Sequence, residues 1–389
     1  MRESRSNAAI GRKGELGVAT LTLIADPFPD WEAEAQAAAA RDLATAVAET
    51  APRSCSARYL VSRGSVNPQF TSPLIRTEQL PMRASMLPFA WQSGATARPL
   101  DGEFVHALTP LMPLRARGED DGSQTSVTIT HSLAWEAPAL LGSASARLYR
   151  AFTRRAVKLA DVVLTPTHAT ARILQEHYGS DLPVQVLQLA PPTEYLATSC
   201  SPERRAELAL PPEYALTTAS SGEHGRLEWV YDAMRTDAQL PPLVLLEGLD
   251  PGPASREKTG SEAPLQEVPE DLHGRVFVVR PTELSDIGAI VSGASLLLLP
   301  QTYAGTGYLT IAALRASVPV LHAGHDATGE LVLDAGIAAT SAADFTDSFR
   351  ALYREANSRT TLSVMAGDRS RGFSWSGAAW QLWETHANL

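Results

Sequence analysis

Lysine is nearly absent from this chain: Lys13, Lys158 and Lys258 stand alone, and every other cation is arginine. Any chemistry that needs a lysine therefore has three candidates at most. Cysteine is scarcer still, with only Cys55 and Cys200, too few for a disulfide framework or a thiolate metal site, and a reducing cytoplasm fits that usage. No apolar run approaches the ~20 residues that span a bilayer. The N-terminal stretch MRESRSNAAIGRKGELG is polar and lacks the apolar segment of a signal peptide. The expectation is a cytoplasmic protein that is neither exported nor anchored by a helix. Positive charge is also short: a formal net charge of −10 argues against a nucleic-acid partner, which calls for a basic face.

What is present is ordinary for a soluble globular protein: 44% apolar and 20% charged residues. A chain of 389 residues is long for one core and suits two domains of roughly 150–200 residues with a cleft between them. GVATLTLIADPF reads as a first strand, and DWEAEAQAAAARDLATAVAET as a long helix capped by Asp30. EFVHALTP, SVTITHSLAW, VVLTPT and VQVLQLAPP are short strands, with helices over ASARLYRAFTRRAVKLAD and ATARILQEHYG, the latter closed by Gly179. Thr193 to Tyr214 has turn residues, a short helix and no buried strand pattern, which places the domain boundary there. A second α/β run follows through ALTTASS, LEWVYDAMR, PLVLLEG, RVFVVR, LSDIGAIVSGA, SLLLLP and VPVLHAG. The alternation predicts parallel sheets. LDPGPASREKTGSEAPLQEVPEDLHG, between two of these strands, reads as a mobile surface loop.

The order THSLAWEAP, ADVVLTPTHATARIL, LSDIGAIVSGASLLLLPQTYAGTGYLTIAALRASVPVLHAGHDATGELVLDAG and FSWSGAAWQLWE resembles the retaining GT-B glycosyltransferases of family 4, from about Gly17 to the C-terminus. The match is strongest at Asp286, Ala294, Pro300, Gly305, Gly307, Ala313, Leu314, Pro319 and Val320, with Glu330 where the family has the Glu of its Pro-Glu-Val. The resemblance implies two Rossmann-like α/β domains facing across a cleft. A disordered tail would occupy 1–16, the acceptor domain 17–195, a linker 196–213, the nucleotide-sugar donor domain 214–372, and a helix crossing back to the first domain 373–389.

The departures are as telling. The family's two donor-site glutamates, seven residues apart, fall on Ala304 and Ala312. In the family the first lies near the donor sugar and the second holds the ribose hydroxyls; alanine does neither. The family's Arg and Lys after the first strand of the donor domain are replaced by SSGEHGRLEW, where Arg226 is the one full cation and His224 a conditional one. The Gly-rich turn after the first strand is replaced by DPFPDWE, and the family's His-Asp pair by His131 and Ser132.

The donor-site expectation therefore rests on Gly305, Thr306, Gly307 and Tyr308. Either their backbone N–H groups and the following helix cradle a diphosphate, or the glycines only permit a tight turn. His224 and Arg226 either pair with phosphates or are an ordinary loop histidine and a solvated arginine. His131 either orients a sugar hydroxyl and supports an oxocarbenium-like transition state, or is a satisfied histidine at a strand end. Glu330 either touches the donor or caps the following helix. His322 and His325 lack a carboxylate at ligand spacing, so no metal is expected. Arg147, Arg150, Arg154 and Lys158 form a stripe that meets either an anionic membrane surface or lipid-linked acceptor, or simply water. Two functions are carried forward. One is metal-independent transfer of a sugar from a nucleotide-sugar to a glycan, lipid-linked glycan or protein. The other is an inactive subunit that scaffolds an active glycosyltransferase.

Overall fold

The computed structural model describes residues 19–65, 68–93, 104–116, 122–196, 200–248 and 267–389. The expected N-terminal tail, Lys13 and Lys258, and residues 249–266 of the expected surface loop lie outside them.

Two wholly parallel sheets carry the chain. The first contains β1 (Thr20–Ile24), β2 (Ser56–Val61), β3 (Ile75–Gln79), β4 (Phe104–Ala107), β5 (Gln124–Thr128), β6 (Val162–Thr165) and β7 (Val184–Val186), in the order β3-β2-β1-β4-β5-β6-β7. The second contains β8 (Ala215–Thr217), β9 (Leu243–Leu246), β10 (Val276–Val279), β11 (Leu296–Leu299), β12 (Val320–His322) and β13 (Gly336–Ala338), in the order β10-β9-β8-β11-β12-β13. Central strands such as LVLL of β9 and LLLL of β11 are buried along their whole length, as a sheet covered by helices on both faces requires. In each sheet the order reverses beside the first strand: β1 lies between β2 and β4, and β8 between β9 and β11. Loops leaving the carboxyl ends of strands at such a reversal form a crevice. In this chain they are the segments after β1 and β4 in the first sheet and after β8 and β11 in the second.

The helix Ala33–Glu49 follows β1. It begins three residues after Asp30, whose carboxylate accepts the Glu32 N–H at 2.9 Å, so Asp30 fastens the turn ahead of the helix rather than serving as its expected cap. The helix buries Ala39, Leu43, Ala44 and Val47. Their small size lets the C-terminal helix Trp375–Ala387 come close enough for Trp383 Nε1 to donate to the Val47 carbonyl at 3.1 Å. One apolar cluster runs from Leu21 and Leu43 of the first sheet's layer through Tyr195 and Leu210 to Leu297 and Leu314 of the second, and includes Leu382 of the C-terminal helix. Between the sheets, the short helix Pro202–Glu207 is capped by the Ser201 hydroxyl, and Arg204 pairs with the fully buried Asp286. Asp286 also accepts from the Thr282 and Glu283 N–H groups in a capping box that starts the helix Leu284–Ser292.

Candidate functional site

The chain leaves β11 at Leu299, turns through residues 300–307 and enters the helix Tyr308–Arg315. Gly307 holds φ +92°, a backbone that calls for glycine, and a Cβ there would stand 2.3 Å from Leu331 Cδ1, so the leucine methyl would have to shift as well. The N–H groups at the start of this helix have no intrahelical partners and carry its positive end.

A carboxylate already sits just ahead of that helix start. Glu32, from the segment after β1, accepts the Thr306 N–H at 3.0 and 3.2 Å through its two oxygens, and the Thr306 hydroxyl at 2.6 Å. A Cβ on Gly305 would lie 2.4 Å from Glu32 Oε1, so the oxygen fills the room the glycine leaves. Burial and then the neighbouring Asp30 carboxylate raise the Glu32 pKa, while His131 and the Thr306 donors pull the other way. The space left beside it is a cavity of about 70 Å³, lined by Trp31, Glu32, Gln301, Tyr303, Gly305 and Tyr308 among others. Gln301 Oε1 and the Tyr308 hydroxyl are buried there without a hydrogen-bond partner among the described residues.

Other expected residues take places of their own. His224 lies in the loop after β8: its Nδ1 is 3.2 Å from the Thr302 hydroxyl, and its carbonyl accepts the Thr302 N–H at 2.9 Å. This stitches the loop to the glycine turn. Arg226 is left-handed at φ 55° and lays its guanidinium over Trp229, 4.5 Å from the ring centre. It follows Gly225, where a Cβ would meet the Ser220 carbonyl oxygen at 2.0 Å. Ala304 lines the cavity, and Ala312 is buried in the main apolar cluster.

His131 is 1% exposed and sits between Trp31, 4.8 Å away ring to ring, and Tyr149, stacked at 4.3 Å. Its Nε2 is 3.5 Å from Asp30 Oδ2, and neither ring nitrogen makes a hydrogen bond among the described residues. Trp31 faces the cavity and His131 lies behind it.

Glu330 neither lines the small cavity nor caps its own helix. It lies inside the helix Asp326–Val332, and its two oxygens accept the His168 and Ala169 N–H groups at 2.7 and 3.0 Å. These begin the helix His168–Tyr178 of the first domain. Nearby, Arg172 pairs with Asp326 at 2.5 Å, and His325 Nε2 stands 3.4 Å from Glu136. Burial works to raise the Glu136 pKa, but hydrogen bonds from His325 and Ser132 outweigh it and bring it below the ordinary range. Burial, followed by His325, pushes His322 down to about 4. A second cavity, of about 410 Å³, opens beside His168, Arg172 and His322. Among the described residues no cluster of three metal-ligating side chains occurs and no helix is long and apolar enough to cross a membrane. Arg147, Arg154 and Lys158 are exposed and Arg150 is half-buried.

Sequence reasoning missed Glu32 as a site residue, along with Trp31 and Gln301. A signal was present: DPFPDWE, in place of a glycine turn, sets three carboxylates in one seven-residue stretch just after β1.

The sequence matches no protein-family model and no curated protein. Solved structures do match over nearly the whole chain. The sucrose-phosphate synthase of Thermosynechococcus elongatus superposes with a TM-score of 0.67 at 18% identity, covering 95% of this chain and 98% of that one. HepE of Anabaena, solved with UDP-glucose, gives 0.59 at 14% identity, covering 95% and 100%. WaaG, a glycosyltransferase involved in lipopolysaccharide biosynthesis, gives 0.58 at 16% identity, covering 93% and 98%. The shared architecture is GT-B: two Rossmann-like domains facing across a cleft, with the C-terminal helix returning to the first.

Proposed function

We propose that this protein is a metal-independent retaining glycosyltransferase that takes a nucleotide-sugar into the cleft and passes the sugar to a glycan, lipid-linked glycan or protein. One observation carries the reading. The glycine turn at the strand-order reversal of the second sheet presents an N–H and a hydroxyl to an anion, and an anion, the Glu32 carboxylate, sits on them. A diphosphate oxygen asks for the same donors.

In this reading Gly305, Thr306, Gly307 and Tyr308 hold the diphosphate through their backbone and the helix start. His224 borders that turn, and Arg226 reaches it by leaving the Trp229 face. His131, beside Asp30, stands behind Trp31 and reaches the reacting sugar only once Trp31 moves aside, and Glu330 belongs to the rim of the cleft. HepE, solved with UDP-glucose, makes UDP the first nucleotide to try.

The second reading, an inactive GT-B subunit that partners an active enzyme, is favoured by specific absences. Alanine stands at 304 and 312, and the one arginine of the β8 loop stacks on Trp229. Calorimetric titration of the full chain with UDP, GDP and ADP, with hydrolysis of the matching glucose donors followed in parallel, separates the two. The enzyme reading expects one nucleotide to bind and its donor to turn over slowly. Silence from all three nucleotides would leave the partner-subunit reading standing.

A further inference from the structure

Two carboxylates cross the cleft in opposite directions. Glu32 of the first domain lies on the Thr306 N–H, at the turn into the Tyr308–Arg315 helix of the second. Glu330 of the second lies on the His168 and Ala169 N–H groups, at the start of the His168–Tyr178 helix of the first. Glu330 puts its carboxylate on unpaired N–H groups of a helix's first turn, and Glu32 puts its own on the residue just ahead of the N-cap Gly307, on the approach to a helix's positive end. Only one of the two seats is the turn assigned above to the donor.

At that turn Glu32 and a diphosphate cannot coexist. Both Thr306 donors are taken, and the Gly305 face is filled, since even a methyl group there would stand 2.4 Å from Glu32 Oε1. The cavity that remains, about 70 Å³, is well below the ~300 Å³ at the low end of small-molecule sites. Asp30, close enough to Glu32 to raise its pKa, would add repulsion against an entering phosphate. The two unpartnered polar atoms beside it, Gln301 Oε1 and the Tyr308 hydroxyl, belong to a site whose polar groups are not all in use.

We propose that Glu32 is an internal competitor for the donor turn: its carboxylate holds the anion seat and clasps the two domains shut, and a diphosphate binds only after displacing it. The inference rests on the donor reading of this turn. Glu32 rides on the segment between β1 and the Ala33–Glu49 helix, so its withdrawal accompanies either opening of the cleft or a change of its own rotamer. Seating and releasing the carboxylate makes and breaks no covalent bond.

The test uses the full-length protein and its Glu32→Gln and Glu32→Ala variants, titrated with UDP and with inorganic pyrophosphate. Amide exchange at Thr306 is read on the same samples. Glu32→Ala is expected to bind both probes at least about tenfold more tightly than the parent, as removal of a charged competitor implies. Glu32→Gln, which keeps an acceptor but no charge, should fall between, and Thr306 exchange should quicken in both variants. Equal or weaker binding by the variants overturns the competition, and weaker binding would assign the carboxylate to holding the ligand instead. If no protein binds either probe, the donor reading fails and the competition with it; faster Thr306 exchange would then mark an interdomain clasp alone. Unchanged exchange removes the clasp as well.

Discussion

Gly307 concentrates the demands of this site in one residue. Its φ of +92° and the 2.3 Å approach of Leu331 Cδ1 to a would-be Cβ combine backbone strain with overlap, so Gly307→Ala should cost about 1–3 kcal/mol in urea unfolding. A midpoint unchanged by the substitution would contradict the turn described here. Glu330 makes a different prediction. Its carboxylate accepts two backbone N–H groups at a helix start, and Glu330→Gln should lower stability by roughly 1 kcal/mol, with the loss shrinking in high salt. A loss indifferent to salt would point to packing rather than charge. Glu330 was legible in the sequence as a motif position but not in its role, because its partners are N–H groups 161 and 162 residues away. Glu32 was hidden for the same reason: local spacing does not report which backbone a carboxylate meets across a cleft.

At the scale of elements, the C-terminal helix is joined to the first sheet through a buried polar chain. His106 Nδ1 and His386 Nε2 each lie 2.9 Å from the Ser126 hydroxyl. Burial, with His386 adding, pushes His106 down to about 3, and burial pushes His386 down to about 4 despite Asp161. Both are therefore neutral in the folded chain and protonate more readily when it unfolds, near pH 6.5. Stability they supply is complete above about pH 6.5 and drains as pH falls toward 4, by roughly 1–2 kcal/mol per histidine at pH 5. Thermal melts at pH 7, 6 and 5 check this, and His386→Gln should flatten the profile; a slope the variant leaves untouched would exclude His386 from the effect. The contact of this helix is also apolar: Leu382 is fully buried, and Leu382→Ala should cost about 2–5 kcal/mol in denaturant. Elements with continuous apolar runs, such as β9, β11 and β6, were readable from sequence. The edge strands β3 (IRTEQ) and β13 (GIA) were not, since residues half-exposed at a sheet edge lack such runs.

For the whole molecule, the polar contacts that close the cleft among the described residues are Glu32 with Thr306, Glu330 with the His168 helix, Arg172 with Asp326, and His325 with Glu136, and the buried Tyr303 of the second domain adds an apolar one by packing in the first domain's cluster. Polar clasps exchange readily for water, whereas the apolar seam of the C-terminal helix does not. The paired variant Glu32→Gln with Glu330→Gln should therefore widen the cleft without unfolding either domain. Small-angle scattering would read this as a larger radius of gyration at an unchanged circular-dichroism spectrum. An identical scattering profile for parent and variant would mean that the remaining contacts set the closure.

The sequence by itself determined the alternation of strands and helices, hence two parallel sheets, and the glycine turn at Gly305–Gly307, because burial periodicity and glycine's backbone freedom are local properties. It also determined what the turn lacks, since Ala304 and Ala312 carry no carboxylate wherever they are placed. Only the tertiary structure decided that a carboxylate is there all the same, brought from residue 32. It decided too that Trp31 screens His131 from the cavity and that Glu330 serves the opposite domain. Hydrogen bonds across a cleft depend on how two sheets face each other, and that is settled by packing summed over the whole chain.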